Sequence, residues 1–222
     1  MKRSVSHVAM ALALTFGVAG TVGVAAPAYA QKQPKMEISE AFQPHAVAIQ
    51  ESVNGVAENP AVKTASDQAM TAVNNVMNAR DDAARASAQS QLDAARAQVD
   101  QQMGGILAKL EAGRPTLTTP DDKLFFGQME LNVGQQMADF EMQNDGIDMM
   151  IASGKIPAEE MPKYHYFAGQ TAYNAQNYGD AAASLQQAID GGYTQNDAEK
   201  LLVDAYLRND QTAEGLAKLK SM

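Results

Sequence analysis

The chain has 222 residues, 17 of them Lys or Arg and 26 Asp or Glu, for a formal net charge of −9. It contains no cysteine, which excludes disulfides, thiolate chemistry and lipid attachment through an N-terminal Cys. The acidic balance argues against nucleic acid or an anionic membrane as partner, because both reward clustered Lys and Arg.

Residues 1–30 have the pattern of a secretory signal peptide. Lys2 and Arg3 give a positive start, an apolar run from Val8 to Val24 follows, and Ala28-Tyr29-Ala30 supplies the small-x-small cleavage pattern. The run is shorter and richer in Gly than the roughly 20 residues a membrane helix needs, so cleavage after Ala30 is expected rather than an uncleaved anchor. The sequence therefore predicts a periplasmic or secreted protein with no membrane insertion after cleavage. Removing Lys2 and Arg3 takes the net charge from −9 to −11. Residues 31–37 lack periodicity and contain Pro34, the mark of a flexible lead-in.

Residues 38–113 read as an N-terminal helical region. Phe42, Ala46, Ile49 and Val53 recur at helical spacing, with Pro44 suited to a helix start and Asn54-Gly55 to its end. A second helix is expected after Asn59-Pro60. Residues 64–112 are Ala-, Gln- and Asp-rich and lack Pro, and Leu92, Ala95, Val99, Met103, Ile106 and Leu110 form one stripe. Gly104-Gly105 weakens this helix near its end. The stripe runs for fewer than three clean heptads, which favours packing within the chain over a coiled coil, although weak self-association through these helices stays open.

Residues 114–120 break the pattern and serve as a linker. They end in Thr119 as N-cap, Pro120 at the first helical position and Asp122 three residues after the cap. Two acids in that first turn also suit the helix dipole. No segment alternates as a strand does, so the chain is read as all-α.

From Pro162 to Gly192 the sequence specifies two short helices joined at Gln176–Asp180. Gly169, Ala181 and Ala188 are small enough for close approach, with Tyr178 at the corner and Leu185 filling the seam. With Tyr173, these residues occur in the order and spacing of a tetratricopeptide repeat, a unit of about 34 residues that stacks on its neighbours. The segment 162–195 resembles that family. His165 departs from it where an aromatic is usual, and Tyr193 stands where Pro often closes the repeat. A second unit, 196–222, carries Leu202, Tyr206, Gly215 and Leu219. A degenerate one, 127–161, carries Gly134, Met137, Gly146 and Met150. The resemblance covers residues 121–222, and extends to exported members in Gram-negative bacteria with MMIASGKIP-like and AGQTAY-like segments. It implies helical hairpins stacked as a short solenoid, binding a protein or peptide on a concave face. Carried over residue by residue, that face comprises Lys163, Tyr166, Gln170, Tyr173, Asn174, Asp197, Lys200, Asp204, Leu207 and Arg208. Gln170 and Asp204 depart from the Lys/Asn pattern with which some members grip a C-terminal carboxylate. The same residues also suit an ordinary solvated face.

Catalytic patterns are missing. After the signal only His45 and His165 remain, in different regions, with no metal-binding spacing, no nucleophile motif and no phosphate- or dinucleotide-binding loop. Asn144–Asp148 lacks the oxygen spacing of a calcium loop and is read as a helix start. Met129, Met137, Met142, Met149, Met150 and Met161 cluster without the tight repeats of thioether copper sites, so core filling is favoured over copper or an adaptable contact surface. The expectation is a non-enzymatic scaffold or adaptor of the cell envelope without cofactor or metal. The alternatives are a self-associating structural protein or an accessory subunit of an envelope enzyme.

Overall fold

A computed structural model describes residues 36–222; the expected signal peptide and nearly all of the lead-in lie outside the described residues. Among the described residues there are ten α-helices and no strand. They are α1 (Gln43–Val53), α2 (Pro60–Asn78), α3 (Asp82–Gln102), α4 (Ile106–Gly113), α5 (Pro120–Gln136), α6 (Phe140–Ala152), α7 (Met161–Asn174), α8 (Tyr178–Asp190), α9 (Ala198–Arg208) and α10 (Thr212–Ser221). Neighbours in sequence pair as hairpins: α2 with α3, α5 with α6, α7 with α8, and α9 with α10. The last three hairpins also touch in succession, α6 against α7 and α8 against α9.

Local sequence sets the boundaries. Asn59 caps α2 by accepting from the Ala61 N–H at 3.0 Å, and Asp81 caps α3 through Ala84 N–H at 2.7 Å. These side-chain oxygens satisfy N–H groups that the first helical turn leaves without partners. At α5 the Thr119–Asp122 capping box forms as its spacing predicts, with Pro120 first in the helix. Gly104 and Gly105 both have positive φ, at 67° and 72°, and divide the long stripe between α3 and α4. All six stripe residues, Leu92 through Leu110, are nevertheless buried. The Asn144–Asp148 segment lies inside α6 rather than at its start, because Asp139 supplies the cap by accepting from Met142 N–H.

The hairpins close on small residues. A Cβ on Gly127 would lie 2.5 Å from the Gly146 carbonyl oxygen, so the α5 and α6 backbones touch directly there. In α7–α8 a Cβ on Gly169 would meet Leu185 Cγ at 2.6 Å. Leu185, Ala181 and Ala188 are fully buried on that seam, as size complementarity requires. Of the clustered methionines, Met129, Met137 and Met150 are core residues; Met142, Met149 and Met161 are half-buried.

The N-terminal helices rest on the first of the three successive hairpins. Phe42, fully buried, packs edge-on against Phe125 at 5.9 Å and lies tilted against Phe126 at 6.0 Å. Gly113 gives α4 room against Phe42, His45 and Ile49. Asp122 is also fully buried, and its carboxylate accepts N–H bonds from Ser39, Thr118 and Thr119 at 2.9–3.0 Å. Burial works to raise its pKa, but these bonds outweigh it and hold the carboxyl below the usual range. The α2–α3 hairpin is fastened by Arg96, which donates to the Met137 and Ala138 carbonyls at 3.1 and 3.0 Å and pairs with Asp139 at 3.1 Å. Arg96 thereby caps the turn between α5 and α6, where Ala138 takes a positive φ of 49°.

Candidate functional site

The ten residues of the expected binding face fall on α7, on α9 and on the Asp197 position just before α9. Helices α7 and α9 touch across the α8 seam, which brings the two sets together. They do not have equal freedom to meet a partner.

Tyr166 is buried and stacks on Tyr193 with ring centroids 4.6 Å apart. Its hydroxyl donates to the Asn196 carbonyl at 3.5 Å and accepts from Gln170 Nε2 at 3.3 Å. Burial pushes the Tyr166 hydroxyl above its ordinary pKa, helped by Tyr193 and Asp197, so it remains a neutral donor. Tyr173, half-buried, donates its hydroxyl to Asp204, which also accepts from Arg208 Nε at 2.8 Å. Arg208 lies over the rings of both Tyr173 and Tyr178, at 5.6 and 5.5 Å. Asp204 is held below the usual carboxylate range by the Tyr173 hydrogen bond first and then by Arg208. Tyr166, Tyr173 and Asp204 thus join one hairpin to the next.

The remaining residues face outward. Asn174 is exposed at the end of α7. Lys163 is exposed, 3.8 Å from Glu160 and over the Phe167 ring at 5.9 Å. Lys200 pairs with Asp197 at 2.8 Å, both well exposed. Leu207 is 42 % exposed, and a Cβ on Gly215 of α10 would lie 3.1 Å from its Cδ2. The exposed part of the expected face is therefore amide, mixed charge and aliphatic, with the aromatic rings set into the floor as supports.

Elsewhere the chemistry is sparse. His165 is half-buried on α7, and burial lowers its pKa against the opposing pull of Asp148. Among the described residues no group of three His, Asp or Glu side chains is arranged to hold a metal ion, and no described helix is long and apolar enough to cross a membrane.

Sequence reasoning missed Glu130. It is 2 % exposed in the middle of α5, where burial pushes its carboxyl up to about 7 while Arg114 pulls it down and Asp145 adds to the rise. One signal was available: an acid in the middle of FFGQMELNVG, a stretch otherwise nearly free of charge. Neither a protein-family model, nor a curated protein, nor a solved structure matches this chain.

Proposed function

We propose that this is an exported helical-repeat protein, of tetratricopeptide type in residues 121–222, that holds a protein or peptide segment in the cell envelope. The observation that carries the reading is the run of three hairpins, α5–α6, α7–α8 and α9–α10, each touching the next. Its seams are closed by Gly and Ala at positions that carry the repeat resemblance, Gly134, Gly146, Gly169, Ala181 and Ala188 among them. Such a stack holds the exposed faces of α7 and α9 in fixed relation, so a bound segment meets groups already in place and less ordering entropy is lost. Lys163, Asn174, Lys200 and Leu207 offer hydrogen bonds, charge and aliphatic area to an extended segment. Export rests on the Lys2-Arg3, Val8–Val24 and Ala28-Tyr29-Ala30 pattern.

The test is affinity capture from a cell-envelope extract with the mature chain, against a variant carrying Lys163→Glu, Asn174→Ala and Lys200→Glu. These side chains are exposed, so the fold is expected to survive, and circular dichroism checks that. The partner set should be lost with the variant; recovery of the same partners at the same level refutes the face. A second reading, self-association through the N-terminal helices, is favoured by Met70 and Met77 of α2, which are 41 % and 45 % exposed. A mass that stays monomeric by light scattering at high concentration excludes it.

A further inference from the structure

A groove between α4, the turn after it, and the α5–α6 hairpin does not belong to the α7–α9 face. It is open, about 380 Å³ in volume, with Leu107, Leu110, Pro115 and Met142 supplying aliphatic wall. Glu130, Glu111 and Arg114 complete its lining. Glu130 Oε1 takes a hydrogen bond from the Arg114 guanidinium, which also packs over the Phe126 ring at 5.3 Å. Glu130 Oε2 is buried and has no hydrogen-bond partner. A buried carboxylate oxygen left unmatched is costly, and it is a place where a donor from outside gains the most. The half-buried Met142 is unbranched and flexible enough to move aside for one.

The field there favours a cation. Glu111 stands on the groove wall and the charge of Asp145 on α6 also acts on Glu130; among the residues lining the groove Arg114 is the one base. Of the other elements on α5, α1 contributes His45, near Gly113, and α2 contributes the exposed pair Lys63–Asp67, whose charges satisfy each other. We propose that this groove binds an aliphatic ammonium group, its alkyl body against Leu107, Leu110, Pro115 and Met142 and its N–H donating to Glu130 Oε2. Arg114 and the ammonium then bracket the carboxylate from its two oxygens. The site stands independently of the peptide-binding face. Because burial pushes Glu130 up to about 7 and the ammonium needs the ionised carboxylate, affinity falls about tenfold from pH 8 to pH 6.

The experiment titrates the chain, labelled with 13C at its methionine methyls, with hexylamine at pH 6 and pH 8. Hexanol and hexanoate serve as comparison probes, and Met142→Leu identifies the reporting signal. The proposal expects a saturable shift of the Met142 methyl, about tenfold tighter at pH 8 than at pH 6, with hexanol at least tenfold weaker and hexanoate unbound. Glu130→Gln should remove the pH dependence and the preference over hexanol. The ligand comparison on the unaltered chain decides the matter even if that variant folds poorly. Hexanol binding as tightly as hexylamine, a pH-independent affinity, or an unmoved Met142 methyl overturns the proposal. A peptide with one central lysine distinguishes the source: tighter binding than hexylamine assigns a protein-borne ammonium, and weaker binding a free alkylamine.

Discussion

Gly127→Ala tests the packing of the stack at its tightest point. The added Cβ would lie 2.5 Å from the Gly146 carbonyl oxygen, 2.9 Å from Met150 Cγ and 3.0 Å from Met150 N. Ordinary contact begins near 3.4 Å, so α5 and α6 must separate by about 0.9 Å at a point where backbone, not a flexible side chain, is the obstacle. Overpacking of this kind costs about 1–3 kcal/mol, and the backbone obstacle argues for the upper end. Ala gains about 1 kcal/mol over Gly in a helix, leaving a net destabilisation of about 2 kcal/mol. In a domain of this size that is about 4–8 °C in Tm. Urea unfolding followed by far-UV circular dichroism measures it, with Gly179→Ala as the matched comparison. At Gly179 the nearest atom to an added Cβ is the Asn209 side chain at 3.5 Å, so only the propensity gain remains. Gly127→Ala should lower the midpoint at unchanged slope and Gly179→Ala should hold or raise it. If the two glycines respond alike, the close-approach argument is wrong.

Four further outcomes follow from the same geometry. Arg96→Ala loses two charge-assisted bonds to carbonyls and the Asp139 pair, about 2–3 kcal/mol, and hydrogen exchange should rise across α2 and α3 while α7–α10 keep their protection. Asp122→Ala strips the N–H groups of Ser39, Thr118 and Thr119 of their shared buried acceptor and should cost about 2–3 kcal/mol by thermal unfolding. Asp122 also sets a pH dependence. Its folded pKa is lowered, so its contribution is present above the unfolded value near 4 and is lost as pH falls through the folded one. An acid titration of stability should therefore show a step below about pH 4 that Asp122→Asn lacks. Tyr173→Phe removes the donor to Asp204 and should loosen α9 against α7, seen as faster exchange in α9; unchanged exchange there contradicts the bridging role.

Where the sequence was legible, the signal was local. Asn59, Pro60, Thr119, Pro120 and Asp122 mark helix starts through hydrogen bonds within a few residues, and the structure puts each start where they point. Gly169, Ala181, Leu185 and Ala188 are legible as a seam because packing two helices needs small residues at fixed intervals. The α2–α3 turn is marked only by Asp81, and in an Ala-rich stretch without Pro that one cap is easily passed over. Asp122 reads as an ordinary third helical residue, yet it also receives Ser39 N–H, 83 residues away, a contact no spacing rule carries. On the proposed binding face, helical spacing brings Tyr166 and Tyr173 to the side of α7 that meets α9. Whether each ring points at a partner or at Tyr193 and Asp204 depends on the neighbouring hairpin. The Glu130–Arg114 pair joins a turn to the middle of a helix and has no sequence motif.

Site-specific photo-crosslinking in intact cells probes the proposed α7–α9 binding face directly. A diazirine amino acid is placed in turn at Asn174 and Leu207, on the outward side of α7 and α9, and at the exposed Ala183 of α8. Discrete adducts of the same mass are expected from Asn174 and Leu207 and none from Ala183. Equal adducts at all three positions, or none at Asn174 and Leu207, contradict a binding face on these helices.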